Sequence, residues 1–217
     1  MSEEEGREHL LSSVEGEVLT DPRVIRFRTG TRRAHWARNC VAIGLSSGFI
    51  EPLESTSIHL IQRSVVRLLM MFPQNGISQT DVDEFNQQTF YELEHIRDFI
   101  ILHYHLTNRT DTEFWRHVKT MEIPETLRHR MEMFEETGRV FRANDQLFAE
   151  NSWTQVMLGQ GLMPKSHHPT ADVLDTGEVD RFLKHIKDNV DKTVSMLPKH
   201  ASYLGSYCPS EIPAKTA

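Results

Sequence analysis

The stretch GFIEPLESTSIHLIQ, residues 48–62, sets one carboxylate, Glu54, directly ahead of three hydroxyl side chains, Ser55, Thr56 and Ser57, where an apolar helix begins. An acid near a helix start favours the positive end of the helix dipole, and any of the hydroxyls can act as an N-cap. The same arrangement also makes an anion site, because the amides of Thr56, Ser57 and Ile58 point out of the helix start without intrahelical partners. A carboxylate beside an anion cradle suits a reaction that uses a halide or an oxyanion together with proton transfer from a substrate. Phe49, Ile50 and Pro52 supply apolar walls for it. Composition alone leaves the reaction open.

The elements that position this stretch are mostly helical. Ile58, Ile61, Val65, Leu68, Leu69 and Phe72 recur at helical spacing until Pro73 and Gly76 stop them. Ser78, Thr80 and Asp83 predict a capping-box-like start to a long helix running towards Leu106. Pro124 and Gly138 bracket a third helix, and Val179, Phe182, Leu183, Ile186 and Val190 form the stripe of a fourth. Upstream, residues 1–13 read as a short helix, Val24, Ile25 and Phe27 as a strand ended by Gly30, and NCVAIGLSSGF as a second strand or a close backbone approach. GQGLMPKSHHPTAD reads as a loop. The expected fold class is mainly α with a short β-containing N-terminal segment.

Several functions are disfavoured. A net charge of -7 argues against phosphate backbones and anionic membranes, which demand clustered cations. Cys40 and Cys208 are too few for a disulfide framework, and without an apolar leader the expected location is the cytoplasm. His95, His103 and His105 lack the spacing of helical metal ligands, so no metal is expected. Gly159 and Gly161 make a turn rather than a dinucleotide loop. Trp36, Trp115 and Trp153 read as packing residues, although Phe148 and Trp153 lie where aromatics could face a planar ligand.

RFRTGTRRAHWARNCVAIGLSSGFIEPLESTSIHLIQ, then EHIRDFIILHYHLTNRTDTEFW and NSWTQVMLGQG, resemble the flavin-dependent tryptophan halogenases. The resemblance implies the helical C-terminal part of a flavin-monooxygenase-like fold. It also implies reduced FAD, oxygen and halide ion as reactants, a flavin reductase as partner, and tryptophan, indole or a related small electron-rich arene as substrate. In that family hypohalous acid reaches the arene through a lysine of the N-terminal half, and the glutamate of an E-S-T motif assists. Carried over, Glu54 and Ser55 are catalytic, and the amides of Thr56 and Ser57 bind halide. Ser47, Gly48, Phe49, Pro52 and Ile58 lie against the isoalloxazine, and Phe148 and Trp153 contact substrate. Ser57 stands where many members have glycine, and Phe148 where the best-known members have a cage tryptophan.

The family's glycine-rich phosphate loop, its W-x-W-x-I-P signature and its reactive lysine do not occur in this sequence. The expectation is therefore a C-terminal piece, with residues 1–55 a partial β-containing segment of the flavin-binding core and residues 56–217 a helical substrate-side domain. By itself such a piece is expected to be inactive, to bind FAD weakly, and to expose an apolar face around Val24 to Phe49 that a missing N-terminal half or self-association would cover. A noncatalytic helical binding module, or the remnant of a truncated gene, is the alternative.

Overall fold

A computed structural model describes residues 2–142 and 146–209; the outer ends of the two expected segments, residue 1 and residues 210–217, lie outside the described residues. A helix, α1 (Glu3–Ser13), opens the chain behind a Ser2 and Glu5 capping box. The strand expected at Val24 to Phe27 does not form, because that segment finds no pairing partner and its apolar side chains stay exposed. Pairing begins where it was expected to end: β1 (Gly30–Thr31) runs antiparallel to β4 (Gly48–Phe49), and β2 (Trp36–Ala37) to β3 (Cys40–Val41). Gly48 is required by this register, since a Cβ there would stand 2.6 Å from the Gly30 carbonyl oxygen. The glycine-containing run at residues 39–49 thus holds two two-residue strands and a close backbone approach.

The helical body is arranged around α3 (Gln79–His105), which packs against α2 (Ser57–Met70), α4 (Glu113–Thr120), α5 (Glu125–Thr137), α6 (Glu150–Gly159) and β2. The expected capping box at its start is absent: the Ser78 side chain makes no cap bond, and Asp83 instead accepts from Gln79 Nε2 at 2.8 Å. The brackets of α5 hold, with Gly138 at φ 67° as its left-handed C-cap. Two further helices, α7 (Thr176–Met196) and α8 (His200–Tyr207), complete the described chain. The α7 stripe is intact as a pattern, yet Phe182, Leu183, Ile186 and Val190 are all exposed.

The main core gathers Phe99 and Leu102 of α3, Leu127 and Phe134 of α5, and Trp153 and Met157 of α6. A smaller cluster of Trp36, Val82 and Phe85 joins the strand segment to the start of α3. Asn86 fastens that joint, since its Oδ1 accepts from the amides of His35 and Trp36 and its Nδ2 donates to the Trp36 carbonyl. The α2 interface is unusual in sign. Its buried residues are Ser64 and Arg67, whereas Ile58, Leu69 and Met70 face outward. Arg67 donates to Glu92 Oε2 at 2.9 Å and to Thr89 Oγ1 at 2.9 Å, and both charged side chains are nearly excluded from water.

A buried charge left without its partner is far costlier than a pair replaced together by apolar groups. Glu92→Leu should therefore lower unfolding stability by about 3 kcal/mol or more in a urea titration, and adding Arg67→Met should recover most of the loss. A second measurement concerns His35, whose pKa is held below 6.5 by burial and then by the charges of Arg67 and Arg32. The unfolded chain binds that proton more readily, so the His35 contribution to stability is complete above 6.5 and is lost as pH falls below it. His35→Gln should flatten the decline in urea midpoint on acidification below 6.5, and an unchanged slope would contradict this assignment.

Candidate active site

Between β4 and α2 the chain makes a strap, residues 50–56, that enters α2 through a 3-10 turn at Leu53–Ser55. Glu54 sits at φ 66°, ψ 5°, and Ser55 follows at φ 54°. Two consecutive L-residues in the left-handed region cost on the order of 1–2 kcal/mol each, so the surroundings must hold them there. Within the strap, Ser55 N donates to the Pro52 carbonyl at 2.8 Å. From outside, the last turn of α3 grips both strap carboxylates. Tyr104 donates its hydroxyl to Glu51, and His103 Nε2 lies 3.1 Å from Glu54 Oε1. The phenol of Tyr104 is pushed up to about 12, by desolvation first and the Glu51 hydrogen bond second, so it stays a donor at every physiological pH.

The turn delivers Thr56 and Ser57 to the α2 N-terminus. Thr56 is buried, and its hydroxyl does not cap the helix. Together with Gly44, Ser47, Gly48, Phe49, Ile50 and Leu60, these two residues line a cavity of about 280 Å³. Five of the residues singled out in the sequence, Ser47, Gly48, Phe49, Thr56 and Ser57, therefore meet at one cavity. Pro52, Glu54, Ser55 and Ile58 are not in its lining, and Ile58 is 79% exposed on the outer face of α2. The apolar walls suit the edge of a flat ring, and among the described residues no cationic side chain lines the space to meet a dinucleotide's phosphates. His35 steadies the rim, its Nδ1 lying 2.9 Å from Ser47 Oγ and its Nε2 3.2 Å from Thr31 Oγ1. On the other side of the strap a second cavity, about 330 Å³, shares Phe49, Ile50 and Leu93 as its wall.

Phe148 and Trp153 belong to the core rather than to either cavity. Phe148 stacks on Phe99 at 3.9 Å between centroids, and Trp153 meets Phe99 edge-on at 4.8 Å with the Arg130 guanidinium 4.1 Å above its ring. Phe99 also meets the His103 ring edge-on at 4.8 Å, so the aromatic pair reaches Glu54 through Phe99 and His103. The spacing of His103 speaks for a satisfied histidine over a metal ligand and carries no sign of its contact with Glu54. The available signal was its position four residues after Phe99 on the helix that also carries Tyr104. His95 and His105 make contacts of their own, to the Tyr91 and Val118 carbonyls. Among the described residues no group of three His, Cys, Asp or Glu side chains is placed to hold a metal, and no helix is long and apolar enough to cross a membrane.

Comparison with known proteins gives the family. The 7-chloro-L-tryptophan 6-halogenase KtzR of Kutzneria sp. is 31% identical over 83% of this chain, which spans only 36% of that protein. Among solved structures, a flavin-dependent halogenase from Xanthomonas campestris matches with a TM-score of 0.93 and 52% identity, covering 98% of this chain and 43% of that one. The flavin-dependent halogenase BrvH from Brevundimonas sp. BAL3 matches with a TM-score of 0.87 and 44% identity, covering 95% of this chain and 42% of that one. A family model described as tryptophan halogenase spans residues 1–176, and with it the strap, the α2 start and the end of α3; the chain belongs to the tryptophan halogenase family.

Proposed function

We propose that this chain forms the substrate and halide side of a flavin-dependent halogenase, with Glu54 as proton acceptor and the amides of Thr56 and Ser57 as halide cradle. The observation that carries the reading is the strap itself. A left-handed Glu54, gripped from α3, stands two residues before an uncapped helix start that opens into an apolar cavity. Halogen addition to an arene leaves a ring cation. Its C–H bond then breaks, the electron pair restores aromaticity, and the proton passes to Glu54, whose charge also stabilises the cation beforehand. Oε1 is held by His103, while Oε2 has no hydrogen-bond partner among the described residues.

Reduced flavin, when bound, would react with dioxygen and so supply the two-electron oxidant that turns halide into an electrophile. Ser47, Gly48 and Phe49 would wall its ring, whereas Pro52 and Ile58 lie outside that cavity and do not meet it there. Phe148 and Trp153 act on substrate by shaping the core behind His103. The division into a flavin-core segment, 1–55, and a substrate-side domain, 56–217, follows the same reading, as does a cytoplasmic location with a flavin reductase as supplier. The outward apolar residues of α2 and of the Val24 to Phe27 segment suit a covering surface, which we assign to a flavin-binding half or, without one, to a second copy of the chain.

Glu54→Gln separates this role from simple support of the helix start. In an assembly of this chain with a flavin-binding half, the isosteric change should reduce halogenated indole about a hundredfold or more while trapped hypohalous acid persists. Full product yield, measured by mass spectrometry, would return Glu54 to a purely structural position.

A further inference from the structure

We propose that His103 is a positioning residue: its Nδ1 proton is committed to the Phe99 carbonyl, so that a single proton lies between its Nε2 and Glu54 Oε1 and leaves Oε2 as the carboxylate oxygen free to act. The inference rests on the reading of Glu54 as proton acceptor and extends it to the residue that aims it. His103 Nδ1 is 2.7 Å from the Phe99 carbonyl oxygen. A carbonyl can only accept, so Nδ1 carries the hydrogen. Nε2, 3.1 Å from Glu54 Oε1, would then oppose one lone pair with another unless a proton sits between them. With that proton on Nε2, Glu54 keeps its carboxylate charge and Oε1 is engaged as an acceptor.

The arrangement has two consequences for chemistry. The carboxylate cannot rotate to offer either oxygen, so the direction of proton capture is set by α3 rather than by the strap. The edge-on Phe99 ring, 4.8 Å away, holds the imidazole plane, and Phe148 and Trp153 hold Phe99 in turn. His103 also cannot relay the captured proton, because its far nitrogen ends on a main-chain carbonyl. The proton taken by Oε2 must leave from Oε2, and the Glu54 side chain, 39% exposed, gives it a path to water.

Long-range proton–nitrogen correlation spectra of the chain labelled with 15N-histidine test this directly, with His103→Gln identifying the resonances. The expected spectrum shows His103 protonated at Nδ1, and an Nε2 resonance that moves towards the value of a simple acceptor in Glu54→Gln, where the amide donates to it. A His103 ring lacking the Nδ1 proton, or an Nε2 resonance unmoved by E54Q, overturns the proposal. The catalytic reading of Glu54 fails by a different result, full halogenation by the Glu54→Gln enzyme, so the two stand or fall separately.

Discussion

Two adjacent residues in left-handed backbone, Glu54 and Ser55, are the constraint on which the site depends. Neither is glycine, and the turn they make is what brings a carboxylate and a helix start to the same place. Strain of this kind persists only where neighbours over-determine it. Here the neighbours are consecutive residues of one helix turn: Tyr104 holds Glu51 before the bend, and His103 holds Glu54 within it. Loss of either grip would let the strap relax towards ordinary backbone and move Glu54 away from Thr56 and Ser57.

The grip works because α3 is a single long column. Its first third clamps the strand segment through Asn86, its middle third receives α2 through Glu92 and Thr89, and its last turn takes the strap. Core packing under Phe99 and Leu102 keeps that last turn in place. The polar seam between α2 and α3 fixes register, since Arg67 finds its partners in only one alignment. It also turns the apolar side of α2 outward. That outward face and the exposed stripe of α7 leave apolar surface uncovered among the described residues.

The sequence made α2, α3 and α7 legible because each is long enough to repeat its apolar period several times, and α5 legible through the Pro124 and Gly138 that bracket it. The shorter α4 and α6 were not read, since eight to ten residues show barely two repeats and their identity comes from packing on α3. Spacing also cannot say which way a stripe faces, and in α2 the buried side is Ser64 and Arg67. The strand expected at Val24 failed for a related reason, because pairing is decided by a partner segment and not by local β propensity. Glu54, Thr56 and Ser57 were legible as acid and helix start. The left-handed turn between them, and His103 behind it, depend on contacts distant in sequence that no local pattern encodes.

The α2 start beside Glu54 is proposed to be an anion site as well as a helix end. Bromide titration followed by the amide resonances of the chain tests that claim most directly. Saturable shifts confined to Thr56, Ser57 and their immediate neighbours are the predicted result. Shifts that rise linearly with salt and spread over the whole surface would contradict it.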